Sequence, residues 1–107
     1  MPRGIMIVHS SPASPEREDE FNRWYDEEHL PEMLACAGFT AARRYRLRDA
    51  GPIKAPASTP GYLAIYEVEA DDLDAAMTAM RARPKGAVSD ALSLDPPPAV
   101  HFYELLG

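Results

Sequence analysis

The hydrophobic period of this chain switches between two and about 3.6 residues in the order strand, helix, strand, strand, helix, strand, which few folds accommodate. The first segment, Gly4 to Ser10 (GIMIVHS), places Ile5, Ile7 and His9 on one side and Met6, Val8 and Ser10 on the other. Both sides are largely apolar, so this strand belongs inside a sheet and not at its edge. The second segment, Ser14 to Leu34, reads as a long helix. Ser14 suits the N-cap, Pro15 the first helical position, and Glu16, Glu18 and Asp19 the positive end of the helix dipole. Spacings of three and four bring Phe21, Trp24, Tyr25 and Glu28 to one side, with His29 at its edge one turn beyond Tyr25. Pro31 is expected to end or kink the helix just past His29.

Phe39 to Arg48 forms a second strand, with Phe39, Ala41, Arg43, Tyr45 and Leu47 on one face and Thr40, Ala42, Arg44, Arg46 and Arg48 on the other. Arginines along one face mark an edge strand. Asp49 to Pro60 is long for a hairpin connection and carries Pro52, Pro56 and Pro60, so it is expected to be exposed. Gly61 to Glu69 is a third strand. If it pairs with the second, Glu67 and Glu69 face the arginines, each exposed pair contributing about 0.2–1 kcal/mol. Asp71 or Asp72 caps a second helix with the apolar stripe Leu73, Ala76, Met77 and Met80, closed by Pro84 and Gly86. Ser89 to Leu94 is expected to add a short helical turn, and Val100 to Gly107 a fourth strand.

Right-handed crossovers turn this βαββαβ order into an α+β, ferredoxin-like layer: a four-stranded antiparallel sheet in the order 4-1-3-2 with two helices on one face. Residues 1–107 make a single domain. The uncovered sheet face carries apolar residues on its central strands, which implies a homodimer through that face.

With 17 acidic against 11 basic residues the chain has a formal charge of −6, which argues against a nucleic-acid partner, since neutralising phosphates is what makes such binding strong. The single Cys36 makes no internal disulfide and no metal signature, and reads as buried filling. The N-terminal apolar run is too short for a signal-peptide core and nothing approaches a membrane span, so a cytoplasmic protein with no membrane partner is expected.

The first helix runs antiparallel to the first strand, and from Pro15 to His29 it rises roughly 20 Å at ~1.5 Å per residue. His29 is thereby separated from His9, whereas His101 falls beside His9 on a paired strand. His29, at a helix C-terminus with Asp26 and Glu28 nearby, is expected to favour its charged form and to shuttle protons for a small carbonyl or enol compound. Tyr25 suits an oxyanion, Trp24 a flat ligand, and Tyr66 and Arg43 are expected to line the space between sheet and helices. The competing reading makes Trp24 and Tyr25 core residues and His29 a helix cap. His9 and His101 are a secondary candidate site, either a metal pair without a third ligand or satisfied polar residues at the sheet end. No metal site is expected.

The run WYDEEHLPEM, followed by GF and RRY, resembles the dimeric α/β-barrel superfamily, in particular its EthD-like and related small members. Those members carry a Trp, a His a few residues later and then a hydrophobic–Pro step on the first helix, matched here by Trp24, His29, Leu30 and Pro31. The resemblance implies two ferredoxin-like sheets closing face to face, each subunit holding a small-molecule cavity between sheet and helices. It implies kinship with cofactor-free monooxygenases, muconolactone isomerases, polyketide cyclases and haem-degrading or haem-dependent enzymes. The motif histidine carries over to His29 alone. No haem ligand is matched, and no cofactor is expected.

The expectation is a cofactor-independent enzyme of isomerase, lyase or monooxygenase type, acting on an apolar or aromatic carbonyl compound in catabolism or secondary metabolism. His29 serves as general acid/base and Tyr25 as polariser, with Trp24, Phe21, Tyr66 and Arg43 binding substrate. The alternative is a non-catalytic ligand-binding or accessory homodimer built on the same pocket.

Overall fold

The two most apolar strands lie side by side at the centre of the sheet, each hydrogen-bonded to a neighbour along both edges. In the computed structural model, which describes residues 1–107, the strands are β1 (Arg3–Ser10), β2 (Phe39–Arg46), β3 (Tyr62–Glu69) and β4 (Ala99–Glu104), in the order β2-β3-β1-β4. All pairs are antiparallel. β1 runs beside β3 from Arg3 opposite Glu69 to Ser10 opposite Tyr62, and beside β4 with Ile7 opposite His101. This is the expected 4-1-3-2 order read from the other edge.

One face is packed under the helices. Met6 and Val8 of β1 and Tyr62, Ala64, Tyr66 and Val68 of β3 are buried there against Phe21, Trp24, Tyr25 and Met33 of the first helix. The second helix, Leu73–Ala82, adds its predicted stripe of Leu73, Ala76, Met77 and Met80 at the margin of the core. Asp72 caps it by accepting from the Ala75 N–H at 3.0 Å, the side-chain bond that Asp prefers at that position. The other face presents Ile5, Ile7, Leu63 and Ile65, all half-buried in the single chain, and the exposed Tyr45 and Tyr103.

Two local irregularities change which residues reach the core. The first is a β-bulge in β2: Phe39 lies opposite Val68 and Ala41 opposite Glu67, so two steps on one strand match one on the other. An extra residue reverses the alternation beyond it. Phe39 turns inward and is buried, whereas strict alternation puts it with Ala41, Arg43 and Tyr45 on the opposite face. Arg43 accordingly does not line the space between sheet and helices; it sits on the open face, donating to Glu67 at 2.8 Å. Arg44 takes the inward position.

The second irregularity lies in the first helix, over residues 15–34. It opens with a 3-10 turn (Pro15–Arg17), becomes α-helical (Glu18–Trp24), widens into a π-helical turn (Tyr25–His29) and returns to α-helix (Leu30–Leu34). Pro15 takes the first helical position, but the Ser14 side chain makes no capping bond. Pro31 does not end the helix. The Leu30 N–H reaches back five residues to the Tyr25 carbonyl, and Pro31 then enters near the start of a fresh α-helical stretch, where its missing N–H is least costly. The helix stops after Leu34, and Gly38, at a φ of 90° that disfavours other residues, turns the chain into β2.

The Ser89–Leu94 segment closes one turn, Leu92 N–H to Ser89 O at 3.2 Å, and then zips onto the loop before the first helix instead of forming a helix. Ala91 and Leu92 are buried by that pairing. The 49–60 connection is largely exposed, as its prolines suggest. No helix is long and apolar enough to cross a membrane.

Candidate functional site

The π-helical turn decides where His29 points. In an α-helix residues five apart diverge widely, whereas the wider π turn brings them closer in azimuth. Trp24 and His29 are five apart, and their rings stack at 4.9 Å with planes 20° apart. Tyr25 meets His29 edge-on at 5.1 Å and Phe21 edge-on at 5.6 Å. The three motif side chains thus form one aromatic cluster on the sheet side of the helix.

His29 is not at the helix C-terminus, and the expectation of a favoured charged form does not survive. It is half-buried, and desolvation holds its proton affinity below the ordinary imidazole value; Glu32 pushes it back up and Lys85 further down. Asp26 is engaged elsewhere, accepting from Arg44 at 3.0 Å. Burial thus favours the neutral ring over the charged one.

Tyr25 and Tyr66 are both buried, Tyr66 completely. Burial raises the pKa of each hydroxyl, and the field of Arg44 pulls each partly back. Each therefore stays a proton donor at neutral pH. The Tyr66 hydroxyl lies near that of Tyr25 without forming a hydrogen bond, and neither it nor the Trp24 Nε1–H has any protein partner. Buried polar hydrogens without acceptors are uncommon in folded proteins.

Arg44 completes the cluster, and sequence reasoning missed it. Its guanidinium carbon lies 4.4 Å from the Tyr25 ring centre, 5.2 Å from Tyr62 and 5.3 Å from Phe21. It donates to Asn22 Oδ1 at 2.8 Å as well as to Asp26. Nothing in the Arg43–Arg44 dipeptide distinguishes the inward residue, since the bulge behind it sets the register.

His9 and His101 do come together, with ring centres 6.1 Å apart and planes at 72°. They occupy the open face, on the other side of the sheet from His29, and no group of three or more His, Cys, Asp or Glu is arranged to hold a metal ion. The principal clefts lie at the β1 end of the open face (about 320 Å³), beside His9 (about 270 Å³) and between β2 and the first helix (about 460 Å³). None of them is lined by His29, Tyr25 or Tyr66.

The sheet order and the helices on one face define a ferredoxin-like α+β chain. Residues 13–90 match the EthD domain, and the chain belongs to that family. Its fold is similar to the crystal structure of an ethyl tert-butyl ether D (EthD) family protein from Bacillus halodurans, with a TM-score of 0.60 and 14% sequence identity over 99% of this chain and 100% of that one. No curated protein matches the sequence.

Proposed function

We propose that the protein is a cofactor-independent enzyme of isomerase, lyase or monooxygenase type, working as a homodimer through its open sheet face on an apolar or aromatic carbonyl compound of catabolism or secondary metabolism. The observation that carries this reading is the pair of unpartnered buried hydrogens, Trp24 Nε1–H and Tyr66 O–H, in the same cluster as a neutral imidazole. Leaving a buried polar group unpaired costs ~1–3 kcal/mol, a cost that makes sense where a ligand oxygen completes the bond.

In the proposed step His29 removes a proton from the carbon next to the carbonyl. The C–H electron pair becomes the enolate double bond, and Tyr25, with Tyr66 beside it, donates hydrogen bonds to the oxygen that gains charge. Returning the proton to a different carbon completes an isomerisation with no external oxidant or reductant. Trp24 and Phe21 form the ligand wall.

A second reading is a binding or accessory homodimer without turnover, in which the same cluster holds a ligand unchanged. Trp24 is the only tryptophan, so its fluorescence reports ligand entry into the cluster. The test follows that signal for a panel of aryl ketones and reads exchange of their α-protons in heavy water by NMR. Enzyme chemistry predicts exchange that falls about 10²–10⁴-fold in His29→Gln. Binding without exchange, or exchange that survives the substitution within about threefold, removes His29 from the chemistry. Sedimentation at micromolar concentration tests the assembly, and a monomer there overturns the homodimer.

A further inference from the structure

Arg44 is the least exposed charged side chain among the ion pairs of this protein, at 11% against 35% or more for every other member. A guanidinium carries five N–H donors in a fixed fork. One goes to Asn22 Oδ1 and one to Asp26 Oδ1, which leaves three with no protein acceptor. The only carboxylate that meets it, Asp26, is 59% exposed, and a carboxylate so hydrated compensates a buried charge weakly. The aromatic faces of Tyr25, Tyr62 and Phe21 attract the cation without using its N–H groups.

The side chain also borders open space. The cleft of about 460 Å³ between β2 and the first helix is lined by Asn22, Asp26, Leu30, Ala42, Tyr45 and Tyr62 together with Arg43, Arg44 and Arg46. That volume is in the range of small-molecule pockets, ~300–1,000 Å³. Arg44 both lines this cleft and lies over the Tyr25 ring, so a ligand bound here meets its spare donors next to the aromatic cluster.

We propose that this cleft is the entrance to the site and that Arg44 selects ligands carrying an anionic oxygen, a carboxylate or a stabilised enolate, on a flat apolar body. The inference rests on the reading given under Proposed function and narrows its substrate class from carbonyl compounds in general to acidic ones. Two guanidinium groups, Arg44 and Arg46, recognise the anion, while Leu30, Ala42 and Tyr62 contact the apolar body. The protein as a whole carries −6, which repels anions at long range, so a preference for them is a local property of this cleft. Burial raises the pKa of Tyr25 and of Tyr66, and the charge of Arg44 opposes that rise in both, so it acts towards the inner hydroxyls as well.

The test uses a charged and a neutral probe of one shape, 2-naphthoate and 2-naphthamide. Each is titrated into the ¹⁵N-labelled protein while the Arg44 Nε–H and Trp24 Nε1–H resonances are followed. Naphthoate is expected to bind about tenfold or more tighter than naphthamide and to shift both resonances. Arg44→Gln should abolish the preference. Because that substitution also disturbs the aromatic packing, Asp26→Asn at the exposed partner gives an independent reading: it frees Arg44 of its counter-charge and should tighten naphthoate about two- to fivefold.

Equal affinity for the two probes, no binding of either at millimolar concentration, or naphthoate affinity indifferent to Asp26→Asn would each overturn the inference. A charge preference between these probes, without α-proton exchange in the aryl ketones tested above, supports the anion site while removing the proton-abstraction step. Exchange without a charge preference does the reverse.

Discussion

Replacing Tyr66 by Phe tests the observation on which the functional reading stands. The Tyr66 ring is fully buried, edge-on to Phe39 at 6.0 Å, and the substitution keeps it in place. Only the hydroxyl is lost, and that hydroxyl has no partner in the folded chain. An unpaired buried hydroxyl costs ~1–3 kcal/mol, while the small void left by one oxygen returns part of that, so a net gain of about 1–2 kcal/mol is expected. For a domain of this size each kcal/mol moves the melting temperature by about 4–8 °C. The measurement is urea and thermal unfolding followed by circular dichroism, with wild type and variant at one protein concentration because self-association shifts the midpoint. A variant that is unchanged or less stable refutes the reasoning. The hydroxyl would then be bonded in solution, to Tyr25 or to a water, and the argument that the cluster awaits a ligand oxygen would fall with it.

Burial lowers the proton affinity of His29, so below about pH 6.5 the unfolded chain takes up a proton that the folded chain refuses. Stability is therefore full above that pH and declines as the pH falls beneath it, until the folded value is passed; urea midpoints in His29→Gln should show a shallower decline. Tyr25 and Tyr66 have the opposite window: the unfolded phenols ionise near pH ~10 while the folded ones do not, so stability present below that pH is lost as it rises. Absorbance titration should find two of the five tyrosines silent until the chain unfolds. Phe21 is fully buried against Tyr25 and Tyr62, and Phe21→Ala should lower stability by ~3–5 kcal/mol in urea unfolding.

Most of the architecture is legible before any coordinates are seen. Met6, Val8 and Ser10 declare their common face by simple alternation, and Leu73, Ala76, Met77 and Met80 declare theirs by helical spacing. Asp72 announces a cap because a short acidic side chain satisfies a helix N–H that nothing else reaches. Ser14 makes the same announcement and does not keep it: the first turn is 3-10, and the Arg17 N–H goes to the Ser14 backbone carbonyl at 3.1 Å instead of to its side chain. The candidate site is only partly legible. Trp24, Tyr25 and His29 do gather, but through a π turn instead of an α-helical edge, and Arg44 stands where alternation puts Arg43.

The residues alone determined the βαββαβ order, the layered sheet with its helices on one face, and the aromatic stripe of the first helix. Each of these follows from periodicity over a few neighbouring residues. Tertiary structure alone decided which arginine enters the core and that burial lowers the proton affinity of His29. A single extra residue at the β2 bulge inverts every side chain beyond it, and what drives that residue out of register is the burial of Phe39 against Val68 and Tyr66, far away in the chain. The imidazole's charge state is likewise a sum over everything packed around it, and no stretch of sequence contains that sum.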